Sequence, residues 1–215
     1  MNIRKTAFVA TALLASSLAN AQWSANIGFA SDYYFRGIFQ SQSSASGGVD
    51  YNHENGFYAG VWAADVEDEY QLGGGGMEVD GYLGYKGAVG DFSYGIGFTG
   101  YYYTQDFDDT YQEINLSGGY GIATIDVAIG EYDNFDGPTQ DYTYYSLTVE
   151  KAGFYGKYAG FSQDADGEYF EIGYGATVAD IDLGVYIVFN DEDLSGTGDD
   201  DDSLVFTIGK SFDLQ

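Results

Sequence analysis

Along residues 22–215, apolar side chains recur at every second position in segments of about ten residues. In Met77-Glu78-Val79-Asp80-Gly81-Tyr82-Leu83-Gly84-Tyr85, one parity holds Met77, Val79, Leu83 and Tyr85, and the other holds Glu78, Asp80 and Tyr82. Successive side chains of a strand point to opposite faces, so this segment has one greasy face and one acidic face. The same period predicts about twelve strands, near 23–36, 44–53, 56–66, 77–86, 92–103, 111–120, 123–132, 141–151, 154–161, 168–177, 180–190 and 203–212. Short connections contain Asn55-Gly56, 87–90, Gly121-Ile122, 151–153 and 178–180. They alternate with long ones over 37–43, 67–76, 104–110, 133–140, 162–167 and 191–202. Asn-Gly suits a tight hairpin, whose turn needs positive φ. An even strand number, with tight turns at one end and long loops at the other, predicts an all-β fold: an up-and-down antiparallel transmembrane β-barrel of about twelve strands. Both termini then lie at the periplasmic, tight-turn end.

Parity assigns the faces. The lipid-facing sets are Ile27, Phe29, Tyr33, Phe35; Tyr94, Ile96, Phe98; Ile114, Leu116; Ile125, Val127, Ile129; Ile172, Tyr174; Ile181, Leu183, Val185, Ile187; and Leu204, Phe206, Ile208. The opposite parity holds the candidate pore-lining residues Asp32, Arg36, Asp50, Glu78, Asp80, Glu113, Asp126, Glu150, Lys157, Glu171 and Asp182. Shifting the register by one residue would turn all of them outward. Even at about 1 kcal/mol for each acid in lipid, that would consume most of a typical ~5–15 kcal/mol of stability, so the acids face the lumen. The strand at 56–66 carries Phe57 and Val61 on one parity and Tyr58 and Trp62 on the other, and its pattern leaves its faces open.

Aromatics gather at strand ends. Tyr33, Tyr34, Phe35, Tyr101, Tyr102, Tyr103, Tyr132, Tyr142, Tyr144, Tyr145, Tyr169 and Phe170 are expected at an outer rim. Trp23, Tyr51, Phe57, Tyr85, Phe92, Tyr120, Phe154, Tyr155 and Phe212 are expected at an inner one. Amphipathic rings favour the headgroup level. Inward glycines such as Gly95, Gly97, Gly173 and Gly184 are expected to open lumen space or bend strands.

Composition fits an exported barrel. Asn2-Ile3-Arg4-Lys5, the apolar run Thr6 to Leu18 and Ala19-Asn20-Ala21 read as a secretory signal cleaved before Gln22, leaving 22–215 as one barrel domain. No later apolar run is long enough for a transmembrane helix. The absence of cysteine excludes disulfides and thiolate metal sites. The formal charge of −27 repels nucleic acid and attracts cations. The expected partners are outer-membrane lipids and lipopolysaccharide, the barrel-insertion machinery, and small solutes or cations, with no nucleic acid. The final strand, ending near Phe212, is similar to the C-terminal signal that bacterial insertion machinery reads.

Chemistry-bearing motifs are few. Gly95-Ile96-Gly97-Phe98-Thr99-Gly100 matches G-x-G-x-x-G, but it lies inside a strand with no helix to hold phosphate. Gly73-Gly74-Gly75-Gly76 has no Lys-Ser or Lys-Thr after it and reads as a loop tip. The one histidine, His53, sits beside a tight turn and suits a capping role better than a hydrolase triad, so no enzyme is expected. Asp191, Glu192, Asp193 and Asp199 to Asp202 match no defined calcium loop and read as a solvated anionic loop, with neither cofactor nor metal expected.

The stretch Ser31-Asp32-Tyr33-Tyr34-Phe35-Arg36-Gly37-Ile38-Phe39-Gln40-Ser41, then Gly47-Gly48-Val49-Asp50-Tyr51-Asn52-His53, Gly56-Phe57-Tyr58-Ala59-Gly60 and Trp62, resembles the signature of the TorF family of porin-like proteins, also called Gcw_chp. Phe39 stands where that pattern usually has Ser. The resemblance implies a porin-like barrel in a Gram-negative outer membrane, and no catalytic residues. The expected function is passive diffusion of small solutes through a narrow, acid-lined, cation-preferring pore, weakened by neutralising Asp126 and Glu113. The alternative is a non-conducting structural or surface-interaction barrel, plugged by inward Tyr82, Tyr101, Tyr103 and Tyr186, whose acidic loops are the working surface. An outer-membrane hydrolase and a soluble periplasmic β-sandwich are the remaining, weaker readings.

Overall fold

The computed structural model describes residues 22–67, 75–195 and 199–214. The expected signal, and Gly73 and Gly74 of the second long loop, lie outside them. The strands are β1 (Gln22–Phe35), β2 (Ile38–Asn52), β3 (Phe57–Glu67), β4 (Gly75–Val89), β5 (Phe92–Tyr103), β6 (Tyr111–Tyr120), β7 (Ala123–Tyr132), β8 (Gln140–Lys151), β9 (Phe154–Gln163), β10 (Glu168–Val178), β11 (Ile181–Asn190) and β12 (Asp201–Leu214), with one turn of helix, α1 (Glu192–Ser195), before β12. Every strand pairs antiparallel with its sequence neighbours, and β1 pairs with β12, closing a twelve-stranded barrel. Every strand thus has a partner on both sides over at least part of its length.

Tight turns cluster at the end that holds the chain termini. Between β2 and β3, Gly56 takes a φ of 99° and donates its N–H to the His53 carbonyl at 2.9 Å, while His53 Nδ1 accepts the Asn55 N–H at 3.2 Å. The histidine is a turn cap there. The opposite, distal end carries the longer loops, with one exception. The expected loop over 37–43 is strand: only Arg36 and Gly37 form the turn between β1 and β2.

The outer wall is apolar. Ile27, Phe29, Ile96, Phe98, Ile114, Ile129, Ile172, Leu204 and Phe206 are exposed on it. β3 resolves with Phe57 and Val61 outward; Trp62 packs against Tyr33 inside, with ring centroids 5.8 Å apart. Trp23, Phe57, Tyr85, Phe92, Tyr120, Phe154 and Phe212 lie exposed around the terminal end. The distal rim is a correction. Tyr102 and Phe170 face outward, but Tyr101, Tyr142, Tyr144 and Tyr169 are buried inside, with Phe161, Val188 and Leu194. Tyr155 is likewise interior, bonded to Glu171.

The inward glycines do not open space. A Cβ on Gly97 would strike the Tyr58 ring, and one on Gly173 the Tyr155 ring. Gly60, Gly84 and Gly130 meet Tyr82, Tyr58 and Tyr142 in the same way. Gly95 and Gly184 face the Ser117 and Thr207 hydroxyls instead, so five of these inward glycines are sockets for tyrosine side chains.

Candidate functional site

The candidate site is the barrel interior, and its distal half is organised by a segment that leaves the wall. β1 follows β12 only as far as Ala30↔Thr207, and β2 follows β3 only as far as Ser46↔Ala64. Beyond those pairs the two strands pair only with each other, through a register shift at Tyr33/Tyr34 and the Arg36-Gly37 turn. This hairpin leans into the lumen. Tyr33 and Phe35, expected in lipid, are inside: the Tyr33 hydroxyl donates to Glu78 Oε1 at 2.7 Å, and the Phe35 ring lies 5.2 Å from that of Tyr101. The physical reason is the detachment itself, because outward parity has no meaning once a strand has left the wall.

The turn residues reach the far side. Arg36 Nη1 and Nη2 donate to Glu113 Oε2 and Oε1 of β6, each at 2.7 Å. The guanidinium lies over the Tyr144 ring at 4.2 Å and over that of Phe35 at 4.9 Å. A bidentate pair stacked on aromatic faces suits arginine and not lysine. Glu113 accepts three further bonds, from Tyr101 at 2.7 Å, Tyr142 at 2.9 Å and Asn115 at 2.5 Å. Gly37 has a φ of 85° and sits where a Cβ would collide with Tyr169, and its carbonyl accepts from Asn190 Nδ2 at 2.6 Å. Only glycine satisfies both demands at that position.

The expected site residues occupy three levels. Arg36, Glu78, Asp80 and Glu113 form the distal level, where Glu78 is 0% and Glu113 2% exposed. Glu78 Oε2 and Asp80 Oδ1 accept no hydrogen bond among the described residues. In the middle, Lys157 Nζ lies 3.8 Å from Glu171 Oε2, Glu171 accepts the Tyr155 hydroxyl, and half-buried Asp126 accepts from Ser146 Oγ at 3.4 Å. Toward the terminal end, Asp50 accepts from Tyr82 at 2.5 Å and Asn26 at 3.1 Å, Asp182 accepts from Thr177, and Glu150 is half-buried. Asp32 is half-buried on the departing arm of β1, opposite Gln42.

One feature of this interior escapes a reading by parity, the inserted hairpin; the tyrosine layer follows it, since Tyr142 and Tyr144 share the parity of Glu150, Tyr155 that of Lys157 and Tyr169 that of Glu171. A signal for the hairpin exists. Gln40-Ser41-Gln42-Ser43-Ser44 lacks the apolar parity of the strands that stay in the wall, and so marks a stretch able to leave it. No group of three or more histidine, cysteine or acidic residues among the described residues is arranged to hold a metal ion.

A family described as "Bacterial protein of unknown function (Gcw_chp)" matches residues 15–211. No curated protein sequence matches the chain. Among solved structures, the "KdgM porin" superposes with a TM-score of 0.57 at 8% identity, over 89% of this chain and 99% of that one. The outer membrane protein OpdK of Pseudomonas aeruginosa gives a TM-score of 0.43 at 16% identity, over 81% of this chain and 58% of that one, which is too loose to weigh. The likeness to the KdgM porin is one of fold.

Proposed function

Because the chain belongs to the Gcw_chp family and closes into a porin-type barrel, we propose that it is an outer-membrane channel of a Gram-negative bacterium for passive diffusion of small solutes, with a preference for cations. The observation that carries the reading is the division of the wall, apolar outside and carboxylate-rich inside. An apolar exterior has a use only in lipid, and interior carboxylates have a use where water and ions pass. The resemblance of the Ser31–Ser41 stretch to TorF porins adds support. The pore-lining role falls to Asp32, Asp50, Glu78, Asp80, Glu113, Asp126, Glu150, Glu171 and Asp182, with Arg36 and Lys157 as the counter-charges. Acids outnumber these bases, so the interior potential is negative and concentrates cations.

In the conformation described, the distal carboxylates are buried, Glu78 at 0% and Glu113 at 2% exposure. That observation favours a second reading, a barrel that does not conduct and works through its acidic loops. Planar-bilayer recording separates the two. The channel reading expects discrete current steps and, in a salt gradient, a reversal potential of the sign set by cation flux. Asp126→Asn with Asp182→Asn should move that potential toward zero. Correctly folded protein that gives no steps, or an anion-selective potential, removes the channel reading.

A further inference from the structure

β1 and β2 carry more strand than the wall uses. Where their ladders with β12 and β3 stop, β12 runs on to Asp201 and β3 to Glu67, each of these stretches paired on its other side alone. Two backbone edges thus flank the place the hairpin has left. In hydrocarbon an unpaired edge is costly. Here side chains substitute for the ladder. Ser31 Oγ accepts the Phe206 N–H at 3.0 Å, Ser41 and Ser44 Oγ both donate to the Asp65 carbonyl at 2.9 and 2.7 Å, and the Tyr34 and Ser203 hydroxyls meet at 2.7 Å.

The registers specify a second arrangement. Continuing the β1–β12 ladder beyond Ala30↔Thr207 sets Tyr33 opposite Leu204 and Phe35 opposite Asp202. In that placement Tyr33 and Phe35 regain the outward parity of Ile27 and Phe29, and Asp32 and Arg36 point inward. The parity of the β1 arm therefore suits the wall, while the contacts suit a hairpin in the lumen. The joint between them is built in: the ladder shifts register at Tyr33/Tyr34, and Ser43 holds a φ of 57°.

We infer that the Ser31–Ser44 hairpin is a gate with two seats. Folded inward, it is latched by Arg36 on Glu113 and by Tyr33 on Glu78, and it seals the distal lumen. Swung outward, it zips onto β12, completes the wall, and uncovers Glu78, Asp80 and Glu113 to water and cations. The motion stands on the geometry; its consequence for transport rests on the channel reading above.

The chain has no cysteine, so a disulfide can report the outward seat directly. Phe35→Cys with Asp202→Cys, which leaves both latches in place, puts the thiols on directly opposed residues only when β1 has zipped onto β12, and a disulfide needs that proximity. The pair is introduced into the full chain refolded in phosphatidylcholine bilayers and followed under mild oxidant by gel mobility. Cross-linking should be slow in that background and about tenfold or more faster when Arg36→Ala removes the latch. The swap Arg36→Glu with Glu113→Arg should return it to the slow rate, which a merely structural role for Arg36 would not do. Oxidised protein should show long-lived open steps that reductant abolishes. Equal rates in all three backgrounds, or no disulfide in barrels whose heat-modifiable mobility shows folding, would overturn the gate. A latch-dependent disulfide without current in the oxidised state leaves the moving hairpin and removes the channel. Current in the parent chain with no disulfide leaves the channel and removes the gate.

Discussion

A tyrosine ring laid across a strand needs a place where the facing residue has no side chain, and the barrel interior supplies such places repeatedly. Tyr58 lies against Gly84 and Gly97, Tyr82 against Gly60, Tyr142 against Gly130 and Tyr155 against Gly173. Each socket also aims a hydroxyl. Tyr142 donates to Glu113, Tyr82 to Asp50 and Tyr155 to Glu171, so the glycines fix carboxylates at one remove. A methyl group on Gly130 would meet the Tyr142 ring and lie 2.9 Å from the Gln112 carbonyl, with no room to relax on the backbone side. Gly130→Ala should therefore cost about 1–3 kcal/mol through overpacking, and less in a Tyr142→Ala background, where no ring fills the socket. Urea unfolding followed by tryptophan fluorescence measures both. Equal losses would mean that the ring has an alternative seat and that the glycine is not what positions it.

At the scale of elements, the decisive property of each strand is which face meets lipid. Ile129 of β7 is 52% exposed on the outer wall, and its neighbour Ala128 is buried inside. A lysine on the lipid face near mid-strand costs roughly 2–4 kcal/mol. Ile129→Lys should thus lower stability in bilayers by that amount while leaving the stability in detergent micelles, which deform around a charge, much less affected. A matching loss in both media would mean that the face is not set in hydrocarbon. The period-2 pattern reveals the twelve strands, the faces of most of them and the tight turns because each depends on neighbours within a few residues. Asn55-Gly56, for example, sets its hairpin by backbone geometry alone. The β1–β2 hairpin was illegible for the opposite reason. Tyr33 and Phe35 continue the outward parity of Ile27 and Phe29, so alternation puts them in the wall. What decides the hairpin's position is a set of partners far along the chain: Glu78, Glu113, Asn190 and Ser203. The aromatic rim failed for another reason: Tyr142 and Tyr144 share the inward parity of Glu150 while Leu147 and Val149 face out, so alternation itself places them inside, beside Glu113 and Arg36.

For the whole molecule, charge and loop length separate the two ends. Asp106, Asp108, Asp109, Asp133, Asp136, Asp164, Asp166, Asp191 and Glu192 lie in the distal loops and α1. The connections at the terminal end are two-residue turns such as Gly90-Asp91, Gly121-Ile122 and Ala152-Gly153, together with the His53 turn. In the proposed outer-membrane placement, the end with the long acidic loops faces outward, where its carboxylates stay solvated, and the tight-turn end, which holds both termini, faces the periplasm. An epitope inserted at Gly137, in the loop after β7, should bind antibody on intact cells, and the same epitope at Gly121 should bind only after the outer membrane is permeabilised. The reverse labelling would invert the barrel and place the hairpin gate on the periplasmic side. Labelling at neither site before permeabilisation would take the protein out of the outer membrane altogether, and with it the proposed channel.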